Sequence, residues 1–301
     1  MPHTCPPVCA RLWHHGIALA VSSSLVFSGM NVMVKALSPA VGVAQIGFFR
    51  GAVGLLAVLW LMRRQRVAFS RTGVPWLALR GLLGALYLLA YFYTLAHMPL
   101  ADAAALIHTA PVFVLLLSAL LLQERLGAAA LRWAALALAG AALIINPLGY
   151  ASFNLAALAG VAAAFFEASA SVAVRHLGRR HHALEIIFYF LAAVTVTCGA
   201  LMLPHWVWPT PRQWALLLGM ALVSLLGQAL LTRAYVREKA ATVAFVRYIG
   251  IVFSAAWGLA LWGELPGWHV ALGAVLVVCG CMGLSRATAV QAVENNGEKN
   301  T

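Results

Sequence analysis

Charge is what this chain has least of. Only 9% of its 301 residues are Asp, Glu, Lys or Arg, against roughly 25% in an ordinary soluble domain. Too little charge is present to coat a water-facing surface, which excludes a cytosolic enzyme, a nucleic-acid-binding module and a disordered chain. Acidic residues are scarcer still: eight in all, with Asp102 the single aspartate. An intramembrane aspartyl protease, which needs two aspartates sharing a proton, is therefore excluded. No His-Glu-x-x-His is present to hold zinc; His181-His182 lies in a basic stretch. The one Gly-x-Ser, Gly283-Leu284-Ser285, closes an apolar run with no base nearby, so serine chemistry has no foundation. Five cysteines form no disulfide framework. Cys5 and Cys9 sit near His3, His14 and His15 without completing a zinc spacing. The chain reads as a non-enzyme with no cofactor and no resident metal.

What is abundant is apolar: 63% of residues, with a mean hydropathy of +0.90. Apolar runs recur at the length a bilayer core of about 30 Å demands of a helix rising about 1.5 Å per residue. They predict spans at 16–34, 41–62, 74–96, 100–122, 128–145, 155–174, 183–203, 213–232, 240–262 and 268–284. The first begins near Gly16 and leads to Lys35 with no small-residue cleavage site, so it reads as a span and not a signal peptide. The expected fold is an all-α integral membrane protein of ten transmembrane helices.

The net charge of +12 would point to nucleic acid in a soluble chain. Here its placement matters more than its size, because Lys and Arg collect on the cytoplasmic side. With the N-terminus inside, inner segments take 15 of the 20 basic residues and outer loops only Lys35 and Arg212; Arg50, Arg80 and Arg247 fall within spans. Both termini are thus expected in the cytoplasm, with the inner (plasma) membrane as location and no nucleic-acid partner. Trp206, Trp208, Trp262 and Trp268 fall at outer interfaces, as an aromatic belt would.

Residues 101–127 laid over 241–267, an offset of 140, share seven identities, among them Glu124/Glu264 and Gly127/Gly267. If the fourth and ninth spans correspond, the chain is two five-helix units of opposite topology. The expected division is a tail at 1–15, a first repeat at 16–145, a second at 146–286 and a tail at 287–301. Inverted repeats are a transporter architecture, with the site at their interface near mid-membrane.

These features resemble the EamA-type drug/metabolite transporter superfamily across residues 16–284. The segments carrying the likeness are Gln45-Ile46-Gly47-Phe48-Phe49-Arg50-Gly51, Arg80-Gly81-Leu82-Leu83-Gly84 and Met98-Pro99-Leu100-Ala101-Asp102-Ala103-Ala104-Ala105. Further matches are Pro111-Val112-Phe113, Leu121-Leu122-Gln123-Glu124-Arg125-Leu126, Ala241-Thr242-Val243-Ala244-Phe245-Val246-Arg247-Tyr248 and Trp262-Gly263-Glu264-Leu265-Pro266. The resemblance implies a secondary transporter. Members move amino acids, S-adenosylmethionine, riboflavin, sugars or drugs, and the arginine-bearing segments look most like the S-adenosylmethionine and riboflavin branch. A broad-specificity efflux carrier is the alternative; a passive pore is the remoter one, as no ring of like charge or filter repeat is seen.

Ionisable groups inside a span cost about 2.5–3.5 kcal/mol and so tend to face a cavity or a partner. Arg50, Arg247 and Glu167 fall at similar mid-membrane depth. Arginine's planar fork suits carboxylate or phosphate, so the two arginines favour an anionic or zwitterionic cargo. The competing reading is that one of them pairs permanently with Glu167 as packing. Gly47 and Gly51, flanking Arg50, allow close helix approach. Arg80, six residues from the cytoplasmic edge, reads as snorkelling to it. Asp102 reads as complementing a helix N-terminus. His108, one turn before Pro111, aligns with Tyr248 across the repeat; both are candidate cargo contacts, as are Tyr91 and Trp257. Tyr87, Phe92, Asn31 and Gln228 are further pocket candidates. Glu167 and His108 are candidates for proton coupling, and Glu124 and Glu264 for gating, with helix-end solvation as the plainer role for the last two. The expected partners are a small-molecule substrate, the lipid bilayer and protons; a homodimer stays open.

Overall fold

The computed structural model describes residues 7–70, 72–122, 128–145, 155–177, 180–237, 243 and 246–298, and among these there is no strand. Eleven helices are defined: α1 (Pro7–Leu37), α2 (Val43–Gln65), α3 (Val74–His97), α4 (Leu100–Ile107), α5 (Ala110–Leu122), α6 (Ala128–Ile145), α7 (Leu155–Leu177), α8 (Ala183–Met202), α9 (Pro211–Arg237), α10 (Ile249–Trp262) and α11 (Trp268–Glu298). Among the described residues, seven segments are long and apolar enough to cross a membrane. Ala128–Ile144, Ile249–Trp262 and Trp268–Leu284 are shorter apolar helices. Leucines and valines such as Leu56, Leu120, Val196 and Val252 face outward, each more than 60% exposed. Water would penalise such a surface, whereas lipid accepts it.

The expected span at 100–122 is not one helix. It breaks at His108 and Thr109, between α4 and α5. Pro111 has no N–H to give Ile107, and its ring crowds the carbonyl four residues back. The backbone N–H and the hydroxyl of Thr109 both turn back to the Leu106 carbonyl, at 3.1 and 2.7 Å. The His108 carbonyl, released from the helix, accepts from the Cys281 thiol at 3.4 Å. A break at membrane depth is tolerated when protein re-satisfies the freed groups in this way. The expected span at 240–262 is also interrupted: a turn at Tyr248 precedes α10, with Val246 and Arg247 helical before it.

Helix pairs close on glycine. A Cβ on Gly51 of α2 would meet Val194 Cγ1 of α8 at 2.9 Å and the Thr195 backbone nitrogen at 3.1 Å. One on Gly140 of α6 would meet the Gly273 carbonyl of α11 at 2.6 Å. Small residues let these backbones touch, which is how helices associate where no hydrophobic drive between them exists. The other close pairings are α1 with α9 and α3 with α7.

Two polar ties mark the ends of the bundle. At the end where α2 stops and α3 and α8 begin, Glu185 accepts from the Ser70 backbone N–H at 2.7 Å, the Ser70 hydroxyl at 2.9 Å and His181 Nδ1 at 3.2 Å. This end carries Arg63, Arg64 and Arg66. At the other end, α10 stops at Gly263, whose φ of +66° is left-handed backbone suited to glycine. The Gly263 N–H reaches back to the Leu259 carbonyl and the Glu264 N–H to the Gly258 carbonyl, both at 3.1 Å, which closes the helix end. That turn points the Glu264 carboxylate at Lys35 of α1, with which it forms an ion pair, and at the Leu100 N–H of α4, 3.1 Å away.

Candidate functional site

Between these two ends lies a cavity of about 240 Å³. It is bordered by α1, α2, α3, α4, α7, α8, α9, α10 and the turn before α10. Deepest in the sequence sense are Arg50, Glu167 and Arg247, which the structure brings to this one space. Of the two arginines that could pair with Glu167, Arg50 does not. Arg50 Nε donates to the Ser224 hydroxyl of α9 at 2.9 Å, and its guanidinium lies 5.5 Å from the centre of the Phe92 ring. Neutral partners of this kind orient the fork without cancelling its charge. Glu167 is instead in electrostatic reach of Arg247.

His108 lines the cavity at the α4–α5 break. A carbonyl can only accept, so His108 Nε2 carries the proton it shares with the Arg247 carbonyl, 3.3 Å away. The His108 and Tyr248 rings meet edge to face, with centroids 5.1 Å apart. The two interrupted segments thus cross at the residues that the 140-residue offset aligns. Tyr248 is not on the cavity wall; it packs behind His108 and shares a hydrogen bond with Cys281.

Tyr91 lies on the wall, stacked with Tyr87 at 6.0 Å and accepting from Asn31 Nδ2 at 2.9 Å. The Asn31 carbonyl oxygen, buried, has no hydrogen-bond partner and is available to a ligand donor. Trp257 stands outside the wall and reaches it through Ser28, to which Nε1 donates at 3.2 Å. Gln228 is on the wall. Glu264 is not: it belongs to the end tie with Lys35. Glu124 lies outside the described residues. Asp102 is buried beside that same tie, within electrostatic reach of Glu264 and Lys35, and its Oδ1 has no hydrogen-bond partner. It is thus part of a charge cluster and more than a helix-end complement.

Arg80 overturns its sequence reading. It does not snorkel to the edge but lies on the cavity wall, its guanidinium 5.0 Å from the centre of the Phe190 ring. Four serines, Ser24, Ser28, Ser171 and Ser254, also border the cavity without having been marked by any sequence pattern. The only available signal was that Ser24 and Ser28 share one helical face.

A wall of three arginines, one glutamate, a histidine, hydroxyls and aromatic rings can hold a small, polar, negatively charged organic molecule. Among the described residues no group of three or more His, Cys, Asp or Glu could hold a metal ion. Comparison with known proteins adds the following. Residues 14–146 and 154–286 each match the EamA-like transporter family. The pseudopaline exporter CntI of Pseudomonas aeruginosa is 49% identical over 272 residues, covering 90% of this chain and 96% of that one. A riboflavin transporter of Rhizobium johnstonii is 30% identical over 90% of this chain and 91% of its own. One from Vibrio cholerae is 28% identical over 88% and 92%. A crystal structure at 20% identity superposes with a TM-score of 0.61, covering 89% of this chain and 96% of the other, and shows the same fold.

Proposed function

The chain belongs to the EamA-like transporter family, and from that membership we propose that it exports a small anionic or zwitterionic organic metabolite across the inner membrane by alternating access. That it is a small-metabolite membrane transporter, and not an enzyme, follows from the family and its relatives. The observation that carries the finer reading is the cavity: guanidiniums at the meeting point of two interrupted helices, the place where transporters of inverted-repeat design hold cargo. Outward movement is supported by the exporter among the relatives.

In this reading the bundle is ten transmembrane helices in two inverted repeats, 16–145 and 146–286, flanked by the tails 1–15 and 287–301, with both termini cytoplasmic. The family's double match supports it, as does the reciprocal pairing of α1 with α9 and α3 with α7. Arg50 and Arg247 bind the anionic group, with Tyr91 and His108 beside them; Tyr248 and Trp257 hold His108 and Ser28 in place. Glu167, opposite Arg247, couples movement to protons, and Glu264 gates the outer end, with Glu124 its counterpart in the first repeat. Cargo resembling that of the relatives, pseudopaline or riboflavin, is the first to try; S-adenosylmethionine and amino acids follow, and a broad efflux range is the second reading. A homodimer would leave the cavity as it is.

The test is counterflow in proteoliposomes against this cargo panel. Arg50→Gln should lose at least tenfold in apparent affinity, as about 1.5–3 kcal/mol per charged hydrogen bond implies. Glu167→Gln should remove the dependence on a proton gradient while binding persists. Wild-type behaviour in both variants would end this assignment of roles.

A further inference from the structure

Long side chains on a helix lie back toward its N-terminus. For Arg80, six residues into α3, that direction leads to the nearby water interface, where the charge would be solvated at little cost. The side chain runs the other way. Its Nη1 lies over Gly84, one turn further into the bundle, where a Cβ would come within 2.6 Å of it. The space left at position 84 is shared by the guanidinium and the Phe190 ring, whose Cδ2 is nearer still. Inside, Phe190 covers one face. Nε and Nη1 are shielded from solvent and have no hydrogen-bond partner. This differs from Arg50, whose Nε is engaged by Ser224. Burying donors unpaired is costly, and nothing in the packing of α3 requires it.

The charges on the wall do not balance either. Among the described wall residues the one carboxylate, Glu167, is in reach of Arg247, and Arg50 and Arg80 remain as a formal surplus of two positive charges. From the idle donors of Arg80 and this surplus, we propose that Arg80 is a cargo-binding residue. It takes a second anionic group, carboxylate or phosphate, of a cargo whose first is held near Arg50 and Arg247. This rests on the anion-transporter reading above and narrows it to molecules carrying at least two anionic groups. Gly84 and Phe190 set the fork's position and hence the spacing between those groups.

The experiment is ligand-induced thermal stabilisation of the full-length protein in detergent. The probes are acetate, glutarate, citrate, inorganic phosphate, pyrophosphate, riboflavin and riboflavin 5′-phosphate. Wild type should be stabilised by the polyanions of one headgroup type, carboxylate or phosphate, and far less by acetate or riboflavin. Arg80→Gln should weaken the polyanion at least tenfold, and Arg80→Lys, which keeps the charge and loses the fork, should recover part of it. Should Arg80→Gln fold poorly, Gly84→Ala crowds both the guanidinium and the Phe190 ring over it and should weaken the same ligands. Polyanion binding lost in Arg50→Gln but intact in both Arg80 variants overturns the Arg80 assignment alone. Stabilisation by riboflavin or other uncharged molecules only, or by none of the panel, overturns the anionic site as a whole.

Discussion

Each end of the bundle is fastened by one glutamate, and the two fastenings are built differently. Glu185 is almost wholly buried and accepts from a backbone N–H, a hydroxyl and a histidine, all within the loop leading to α3 and the start of α8. None of its partners borders the cavity. Glu264 is partly exposed and pairs with Lys35, whose ammonium also donates to the Met98 carbonyl at 2.9 Å. Its partners sit on α1 and α4, and those same helices form the cavity wall further in. A carboxylate that joins neighbours in one rigid corner is a staple. One that joins separate cavity helices through a half-solvated pair can release, because water replaces the lost contacts as it opens.

Glu185→Ala strands the N–H and hydroxyl of Ser70, and should cost about 3 kcal/mol in unfolding free energy measured by denaturation in detergent. Transport per folded molecule should stay at the wild-type level. Loss of transport with stability intact would show that this end also moves during the cycle.

Glu264→Ala should cost less stability, about 2 kcal/mol, since it removes a half-solvated ion pair and one acceptor for the Leu100 N–H. Its larger effect should be on access. A cysteine placed at Ala104, on the cavity wall near this end, should be labelled several-fold faster by a membrane-impermeant thiol reagent added from that side. Unchanged labelling would mean that apolar packing, and not the pair, closes this end.

The two ties also mark how far the sequence reached. The apolar helices, the membrane class and Arg50, Glu167 and Arg247 as candidates for one cavity are legible because hydropathy and the cost of buried charge act locally along the chain. The break at His108 follows from Pro111, although its exact position depends on Thr109 bonding back to Leu106 and on a thiol from α11. Arg80 was misread because depth alone favours snorkelling, and only the fold reveals that Gly84 leaves room for the guanidinium to turn inward. Glu264 could be placed at a helix end but not matched to Lys35, 229 residues away, since no local pattern links them. Trp257 is legible as a nearby aromatic and not as the support of Ser28.

Lys35→Ala leaves Glu264 able to accept from Leu100, so the stability loss should be about 1 kcal/mol or less. Thiol labelling at position 104 should rise, but less than in Glu264→Ala. If the two substitutions were equivalent, the Leu100 contact would contribute nothing to closure.

Salt provides the gentlest probe. The screening length falls from about 10 Å at 0.1 M to about 3 Å at 1 M, so an ion pair in contact with water weakens and one shielded by protein does not. The side chains of Lys35 and Glu264 retain 12% and 21% of their exposure, whereas that of Glu185 retains 1%. Raising potassium chloride to 1 M should therefore increase labelling at position 104 slightly and leave unfolding of the Glu185 corner unchanged. The increase should vanish in Lys35→Ala, which has no pair left to screen. A salt effect that persists in that variant would assign the opening to charges elsewhere, with the Asp102 carboxylate beside the tie the first to replace.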